Sequence, residues 1–523
     1  MTPKQASPQA EQTPDLFGIK NSGIFVCILV FAALCSRQLL LQYLQQGQAF
    51  FADDAYYYLL IARNWLTKGP STFDGVRMTN GYHPLWMGVL VLQYKLFSQS
   101  LLVTRCLEYL FGGIALVSSL LVFRLRGLLA NLLFTIGFFM LLAKIALDGM
   151  ETSVFAACFC LLAYSLTRSE DRPVWQGAFD GIFAVLAIAS RLDAAVFAIP
   201  YVLLATNSRV RKTTALAIVA VLGLVYMGIN HHYFGLTMPV SGEVKSLGGM
   251  QLNWPLLKIL ESPRQIQTEL LYLILLAIPL GIVLWPRTTS SMQRALIGAY
   301  VIGTICFTMR LLFFSSWIIW PWYGYPLLIG YMACVPVLLQ ALARRFEGLR
   351  LSPLTIATVT VLFVFAFGLS LWRSIRHRHA GKQNYFVLND EALAAYNGRL
   401  NNSLVAMGDR AGNFAFTYGG GVEQIEGLAN DREFLTLLRK RADIKPLLCQ
   451  RGVQFVVTYA PDLGNYQTFH VDVIRPMLSQ YSVPPIGVSR RDEVGNFSDL
   501  SRFDDKDGTG SSHLYIWKLN CSK

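Results

Sequence analysis

The chain has 523 residues, of which 54% are hydrophobic and 15% are charged, and its net charge is +13. This balance is too apolar for an ordinary soluble protein, so we predict that most of the chain lies in a lipid bilayer. The basic excess sits largely in short loops between apolar stretches, where Lys and Arg favour the cytoplasmic side. No basic domain stands apart, and we predict no nucleic-acid partner.

Apolar stretches of about 17 to 25 residues, long enough to cross a bilayer, recur along the first two thirds of the chain. The first follows a polar tail and has no small-residue cleavage site after a short apolar core, so we predict a retained span. Counting one broken helix pair as two, we predict about eleven crossings. The predicted spans are 24–44, 101–122, 128–147, 154–166, 178–205 (the broken pair), 215–233, 270–284, 295–314, 318–339 and 354–371.

Basic residues in the short loops predict the orientation of these spans. They all fall on one face if the apolar stretch 85–97 dips into the membrane without crossing it. We expect that face, and the N-terminus, to be cytoplasmic, in a protein integral to the cytoplasmic (inner) membrane. The basic residues concerned are Arg124, Arg126, Arg168, Arg172, Arg209, Arg211, Lys212, Arg287, Arg294, Arg344 and Arg345.

The change of composition along the chain divides it into three parts. Residues 1–21 are predicted to form a cytoplasmic disordered tail, and residues 22–372 a transmembrane domain whose first outward loop is 45–84. Residues 373–523 have a soluble composition and are predicted to form an extracytoplasmic domain. The predicted fold class is therefore a polytopic α-helical membrane protein with a C-terminal α/β domain.

The C-terminal part alternates strand-like and helical patterns. Strand-like runs occur at 403–407, 453–459 and 513–519, and an amphipathic helix with a basic end at 431–441. Cys449 and Cys521 are the cysteines outside the apolar spans, and their spacing alone leaves their pairing open.

The first outward loop begins with DDAYYYLLIARNW, residues 53–65. Tyr58, Ile61, Ala62 and Trp65 recur at helical spacing, which predicts a short helix lying along the membrane surface. Asp53 and Asp54 are at its N-terminus. In one interpretation Asp53 caps the helix and Asp54 complements its dipole. In the other, adjacent carboxylates at a membrane surface accept protons, ligate a metal or hold hydroxyl groups.

A second polar segment, TNGYHPLW at 79–86, runs straight into the apolar stretch that dips into the membrane. Asn80, Tyr82 and His83 are candidates to line a cavity there. The alternative for His83 is a residue that enters a helix before Pro84, because proline is common in the first helical turn.

Three cations are candidates to bind an anionic group near the outer surface, because charges within a membrane usually pair or serve a site. Each has an alternative interpretation. Arg191 can pair with Asp193, Arg310 can snorkel to the interface, and Lys245 can be a solvated loop charge. Nearby aromatic residues form either a sugar pocket or an interfacial belt, and we favour the belt. They are Trp317, Trp320, Trp322, Tyr323 and Tyr325.

The acidic pair, the short helix and the polar segment resemble, in this order, the GT-C glycosyltransferases, and most of all their arabinofuranosyltransferase-like branch. Four further segments agree, and the resemblance covers nearly all of residues 22–372. They are DGMET at 148–152, SRLDA at 190–194, HHYFGLTMPVSGEVK at 231–245 and WPWYGYP at 320–326.

The resemblance implies transfer of a sugar, with inversion, from a polyprenyl-phosphate donor to a glycan, lipid or protein acceptor outside the cytoplasm. Asp53 matches the family's leading acidic position, its proposed base, and Asp54 the second acidic residue, which orients the acceptor or a metal. His83, Arg191, Lys245 and Arg310 are the predicted donor-binding residues. Asn80, Tyr82, Asp148 and Glu151 are predicted to contact the acceptor or line the pocket.

Some members of the family bind a divalent cation through an Asp-x-Asp in the second outward loop, which this sequence lacks, so we assign no metal ligands. A divalent cation, Mg or Mn, stays open as a cofactor. Asp148 and Glu151 are the nearest substitutes for its ligands. A membrane transporter or lipid-linked-sugar flippase is the main alternative, since broken helices and intramembrane charges also suggest transport. We find no internal repeat, which transporters usually have. A catalytically silent assembly partner is a third possibility.

Overall fold

The computed structural model describes residues 19–44, 51–345, 385–473, 483–498 and 513–521, with gaps at 126, 169–170, 248, 255, 257–273, 276–277, 289, 316, 318–319 and 462. The predicted span 354–371, residues 270–273 and 276–277 of the predicted span 270–284, and the boundary between 372 and 373 lie outside these residues. So does most of the predicted tail 1–21.

The described membrane part is built from helices. The helices are α1 (Ile19–Leu44), α2 (Asp53–Thr67), α3 (Pro84–Leu96), α4 (Leu101–Phe123), α5 (Leu128–Ile145), α6 (Thr152–Leu166), α7 (Pro173–Ser190), α8 (Ala195–Ala205), α9 (Arg209–Phe234), α10 (Val240–Lys245), α11 (Ser291–Phe313) and α12 (Tyr325–Arg345). Short 3-10 turns at Leu192–Ala194, Trp285–Arg287 and Pro321–Gly324 lie between them.

The chain is a polytopic helical membrane protein. Seven of the described helices are long and apolar enough to cross a bilayer, and two shorter apolar helices, Thr152–Leu166 and Leu192–Ala205, lie among them. The total of about eleven crossings stays a prediction. Helix α3 rises about 20 Å at 1.5 Å per residue, which is shorter than the hydrocarbon core. That this segment dips into the membrane without crossing it stays a prediction.

Close packing of α7 against α9 depends on two glycines one helical turn apart. A Cβ added to Gly177 would lie 2.5 Å from the backbone oxygen of Arg211, and one added to Gly181 would lie 2.9 Å from that of Ala215. Small residues at this spacing let helix backbones approach in a membrane. The buried Asp180 carboxylate accepts a hydrogen bond from Arg211 Nε at 2.6 Å, which joins the same two helices.

The C-terminal part is an α/β domain with a five-stranded sheet in the order β2-β1-β3-β7-β6 and a separate β4-β5 hairpin. Strand β1 pairs in parallel with β2 and β3, whereas β7 pairs antiparallel with β3 and β6. The strands are β1 (Val405–Met407), β2 (Val422–Gln424), β3 (Phe455–Ala460), β4 (Thr468–Val471), β5 (Ile486–Ser489), β6 (Glu493–Ser498) and β7 (His513–Lys518). The helices are α13 (Tyr385–Leu400), α14 (Ala411–Thr417), α15 (Arg432–Lys440) and α16 (Lys445–Gln450).

The three predicted strands and the predicted helix of this domain are confirmed as β1, β3, β7 and α15. Asp431 caps α15, because its Oδ1 accepts a hydrogen bond from the backbone N–H of Phe434 at 2.8 Å. The pairing that the sequence left open is also resolved, since Cys449 and Cys521 form a disulfide.

Helix α2 differs from the predicted surface helix. Tyr58, Ile61 and Ala62 are buried, as expected for one apolar face, but Tyr56 and Tyr57 on other sides of the helix are buried as well. The reason is that α14 of the C-terminal domain packs on α2 from one side while α3 packs on another. The helix is therefore an internal element between two parts of the protein.

Candidate functional site

A cavity of about 430 Å³ lies beside the start of α2, where α8, α10 and α11 also meet. The break between α7 and α8 and the 3-10 turn Pro321–Gly324 complete its walls. Eight acidic, basic or imidazole side chains line it: Asp54, His83, Glu151, Arg191, Asp193, Glu243, Lys245 and Arg310. The structure thus brings Asp54, Glu151 and all four predicted donor-binding residues together.

The two carboxylates at the start of α2 have different surroundings, because successive helical residues point about 100° apart. Asp54 lines the cavity, whereas Asp53 is not among the lining residues. The Asp53 carboxylate instead accepts backbone hydrogen bonds from Gly412 and Asn413, both at 2.9 Å. The N-cap of α2 is Ala52, without a side-chain bond. Asp53 therefore binds the first turn of α14 in the C-terminal domain and does not cap its own helix.

Burial raises the pKa of both carboxyl groups. The pKa of Asp54 is raised to about 6 by burial, with Lys245 opposing the shift and Asp409 and Glu151 adding to it. The pKa of Asp53 is raised to about 7 by burial, against the two backbone N–H groups that stabilise its charged form. An Asp54 carboxyl with this pKa is mostly ionised at neutral pH and still basic enough to take a proton.

Glu151 and Arg191 form a buried pair at the centre of the cavity wall. Arg191 Nη1 donates to Glu151 Oε1 at 2.9 Å and to the Trp322 carbonyl at 2.8 Å. Its Nε donates to Asp193 Oδ1 at 3.2 Å. The structure thus contains the Arg191–Asp193 pair that was the alternative to a ligand role. Tyr58 donates to the second oxygen of Glu151 at 3.1 Å, which fixes that carboxylate.

Replacing Arg191 with Ala is expected to lower the free energy of unfolding by about 3 to 5 kcal/mol, because it leaves buried carboxylates without their partner. Chemical denaturation in detergent measures the loss. The control is Arg209→Ala, at an exposed position at the start of α9, which is expected to change stability by less than about 0.5 kcal/mol. Equal stability of the two variants would mean that Arg191 does not support the wall.

His83 is a neutral hydrogen-bonding group in this cavity. Burial lowers the pKa of its imidazole below the usual range. Its Nδ1 accepts the Leu192 N–H at 3.4 Å, so the proton of the neutral ring is on Nε2, which lies 3.6 Å from Glu151 Oε1. His83 also precedes Pro84 at the start of α3. Both interpretations made from the sequence therefore hold together.

Lys245 and Arg310 are the cations best placed for an anionic ligand. The pKa of Lys245 is raised, because the effects of Tyr323 and Asp54 outweigh the opposing effect of burial. The ammonium group therefore stays charged. Its Nζ lies 5.5 Å from the centre of the Tyr323 ring. Arg310 contacts Asp193 Oδ2 at 3.3 Å, yet its side chain is 42% exposed. Both cations line the cavity, Lys245 beside Tyr323 and Arg310 beside Asp193.

Three residues predicted to line the pocket lie elsewhere. Asn80 is buried and joins its own loop to α9 and α10, because its amide donates to Asn230 Oδ1 and its oxygen accepts the Val240 N–H. Tyr82 bonds to the Ser71 hydroxyl. Asp148 accepts the Met150 N–H in its own turn and is not among the cavity-lining residues. Polar composition suggested these positions, but the hydrogen bonds of their side chains go to other parts of the protein backbone and side chains and not into the cavity.

Several lining residues were missed or underestimated from the sequence. Trp322 and Tyr323 line the cavity, although the aromatic cluster was interpreted as an interfacial belt. Trp320, partly exposed, stacks on Trp322 with ring centres 5.7 Å apart. Leu428 and Ala429 of the C-terminal domain also line the cavity. No local pattern marks them, because only chain folding over long sequence distance brings them here.

Within the part of the chain that the structure describes, no group of three or more His, Cys, Asp or Glu side chains is placed to hold a metal ion. Metal dependence stays open.

Comparison with known proteins finds no matching family model and no matching curated protein. Among solved structures, the chain is similar to ArnT from Cupriavidus metallidurans bound to undecaprenyl phosphate, with 12% identity and a TM-score of 0.40 over 95% of this chain and 98% of that chain. It is also similar to arabinofuranosyltransferase AftD from mycobacteria, with 14% identity and a TM-score of 0.44 over 95% of this chain and 42% of that one. At such identities these neighbours assign no activity and no residue role.

Proposed function

We propose that this membrane protein is an inverting glycosyltransferase that moves a sugar from a polyprenyl-phosphate donor to an acceptor hydroxyl, with Asp54 as general base. Four carboxylates line the cavity, and three are engaged: Glu151 by Arg191 and Tyr58, Asp193 by Arg191 and Arg310, and Glu243 by Arg439. Among the described residues Asp54 alone of the four has neither a hydrogen bond nor an ion pair. This observation carries the proposal.

The chemistry requires a base and an anion site in one cavity. The acceptor oxygen bonds to the anomeric carbon of the sugar, its proton passes to Asp54, and the bond from that carbon to the phosphate oxygen breaks. Charge then develops on the departing lipid phosphate, where Lys245 and Arg310 stabilise it. Asp53 was our prediction for the base; its place outside the cavity lining and its two backbone bonds move the proposal to Asp54.

The position of the cavity supports a lipid-linked donor. Cys306, Phe307 and Arg310 of α11 line it, and α11 is one of the candidate membrane spans. Ile305 and Met309 of the same helix are exposed, at 46% and 48%, as expected for side chains that face lipid. A substrate with its phosphate in the cavity and its polyprenyl chain in the bilayer fits this arrangement.

We also propose that the cavity and the C-terminal domain face away from the cytoplasm. The disulfide between Cys449 and Cys521 supports this, because such bonds persist in oxidising compartments. The basic loops predict the same orientation.

The direct test uses purified protein in nanodiscs with a radiolabelled polyprenyl-phosphate sugar and a panel of glycan, lipid and peptide acceptors. We expect a labelled glycoside and an equal amount of polyprenyl phosphate. In sealed vesicles, movement of the lipid-linked sugar between leaflets without cleavage would support the transporter alternative. Binding of polyprenyl phosphate with no loss of sugar from the donor, to acceptor or to water, would support the silent assembly partner.

The pH profile gives an independent check on Asp54. Since burial raises the pKa of Asp54 to about 6, the base form is lost as pH falls through this value and not near 3.8. We expect kcat/KM to fall about tenfold for each pH unit below 6. This acid limb of the pH profile, the fall in kcat/KM below pH 6, should persist in Asp53→Asn. A limb that disappears in that variant would identify Asp53 as the titrating group.

A further inference from the structure

The C-terminal domain forms one wall of the cavity. Leu428 and Ala429, in the segment after β2, line it next to Gly81 of the membrane part. Gly81 and Leu428 approach so closely that a Cβ added to Gly81 would overlap the Leu428 backbone oxygen. The site is therefore complete only while the C-terminal domain is docked.

Docking begins at the start of α2. Both oxygens of the Asp53 carboxylate accept backbone hydrogen bonds, from Gly412 and Asn413, at 2.9 Å each. Gly412 has no room for a side chain, because an added Cβ would overlap the Asp53 backbone oxygen and lie 2.9 Å from its carboxylate. Hydrogen bonds to a charged acceptor are stronger than those between neutral groups. Asp53 thus holds the first turn of α14 against α2.

Further along α2, the other end of α14 is held as well. Arg63 Nη1 donates to the Phe416 carbonyl at 2.9 Å, and its guanidinium carbon lies 4.8 Å from the Phe416 ring centre. The Tyr56 ring packs edge-on against the same phenylalanine at 5.4 Å. The contact is therefore specific along the whole length of α14.

Two ion pairs also join the C-terminal domain to the membrane part. Arg77, in the loop after α2, pairs with the buried Glu423 of β2 at 2.9 Å. Glu243 of α10 pairs with Arg439 of α15 at 2.7 Å. The same α10, which carries Lys245, joins the apolar core of the C-terminal domain through Val240 and Val244. The domain is thus fixed to the membrane part at three places.

We propose that Asp53 is a positioning residue that docks the C-terminal domain, so that the wall formed by Leu428 and Ala429 favours the acceptor hydroxyl over water. The chemical consequence rests on the proposed function. When the wall is displaced, water can take the place of the acceptor. Its oxygen then bonds to the anomeric carbon, its proton passes to Asp54, and free sugar and polyprenyl phosphate are released.

The experiment compares Asp53→Ala, Asp53→Asn and Gly412→Ala with the unaltered protein. Gly398→Ala is the matched control, because Gly398 lies in α13 with no atom within 4 Å of an added Cβ. Hydrogen–deuterium exchange of peptides from α14 and from residues 426–430 measures docking, and peptides from β3 and β7 report folding of the domain. A polyprenyl-phosphate sugar assay measures transfer to the acceptor and hydrolysis separately.

We expect Asp53→Ala, which removes both hydrogen bonds, and Gly412→Ala, whose Cβ overlaps Asp53, to speed exchange in α14. Both should raise the ratio of hydrolysis to transfer at least about tenfold, the size of effect expected for loss of even one hydrogen bond to a charged group. Asp53→Asn keeps one acceptor oxygen and should fall between. Binding of polyprenyl phosphate should stay unchanged. Gly398→Ala should match the unaltered protein in every readout.

The proposal is overturned if exchange in α14 is unchanged in Asp53→Ala. It is also overturned if transfer and hydrolysis disappear together while the domain stays docked, which would make Asp53 the base. A protein that neither transfers nor hydrolyses any polyprenyl-phosphate sugar would count against the proposed function alone. In that case the exchange measurements still decide whether Asp53 docks the domain.

Discussion

Asp54→Asn is expected to lower kcat about 10²- to 10⁴-fold, the usual contribution of a general base. The amide has almost the same shape as the carboxylate but cannot take the acceptor's proton. Removing the negative charge beside Lys245 should leave binding of polyprenyl phosphate intact or slightly stronger. Single-turnover transfer and a lipid-phosphate binding assay measure the two effects separately.

The control for Asp54→Asn is Asp443→Asn, at an exposed carboxylate whose bond to the Lys445 N–H an asparagine oxygen can keep. This control should retain full turnover. Undiminished transfer by Asp54→Asn, in a protein that still folds, would remove the central residue of the proposed mechanism.

Lys245→Ala is expected to lower kcat/KM about 10²- to 10³-fold, the size of effect seen when one preorganised donor to a developing negative charge is removed. The reason is that Lys245 lines the cavity and keeps its proton at neutral pH. We expect weaker binding of polyprenyl phosphate as well. Lys245→Arg retains the charge and should recover part of both losses.

Lys440→Ala, at an exposed position in the last turn of α15, is the matched control and should change neither quantity. Unaltered phosphate binding in Lys245→Ala would move the anion site to Arg310 and would contradict the role given to Lys245.

The limits of sequence-based prediction are clearest at the acidic pair. The sequence placed Asp53 and Asp54 at the start of a helix, and α2 begins at Asp53. It could not separate their roles, because one residue faces the cavity and the other a domain that is more than 350 residues away along the chain. Burial by that domain also explains why α2 is covered on several sides and not on one.

Arg191 illustrates a second limit. Both proposals for its role were stated from the sequence, but the Glu151 carboxylate that decides between them comes from a different loop, 40 residues earlier. Local spacing reveals the neighbour Asp193, whereas the contact with Glu151 depends on how α6 packs beside α7.

Hydrophobic length and periodicity are local properties of the chain. The membrane class, the approximate positions of most described apolar helices and three of the seven strands of the C-terminal domain could therefore be predicted from the sequence. Tertiary contacts determine which cavity carboxylate has no hydrogen bond or ion pair among the described residues, which cations share its cavity, and that Leu428 and Ala429 complete the wall. These are contacts between segments far apart in sequence. They arise only when the helices pack and the C-terminal domain docks, and local patterns carry no record of them.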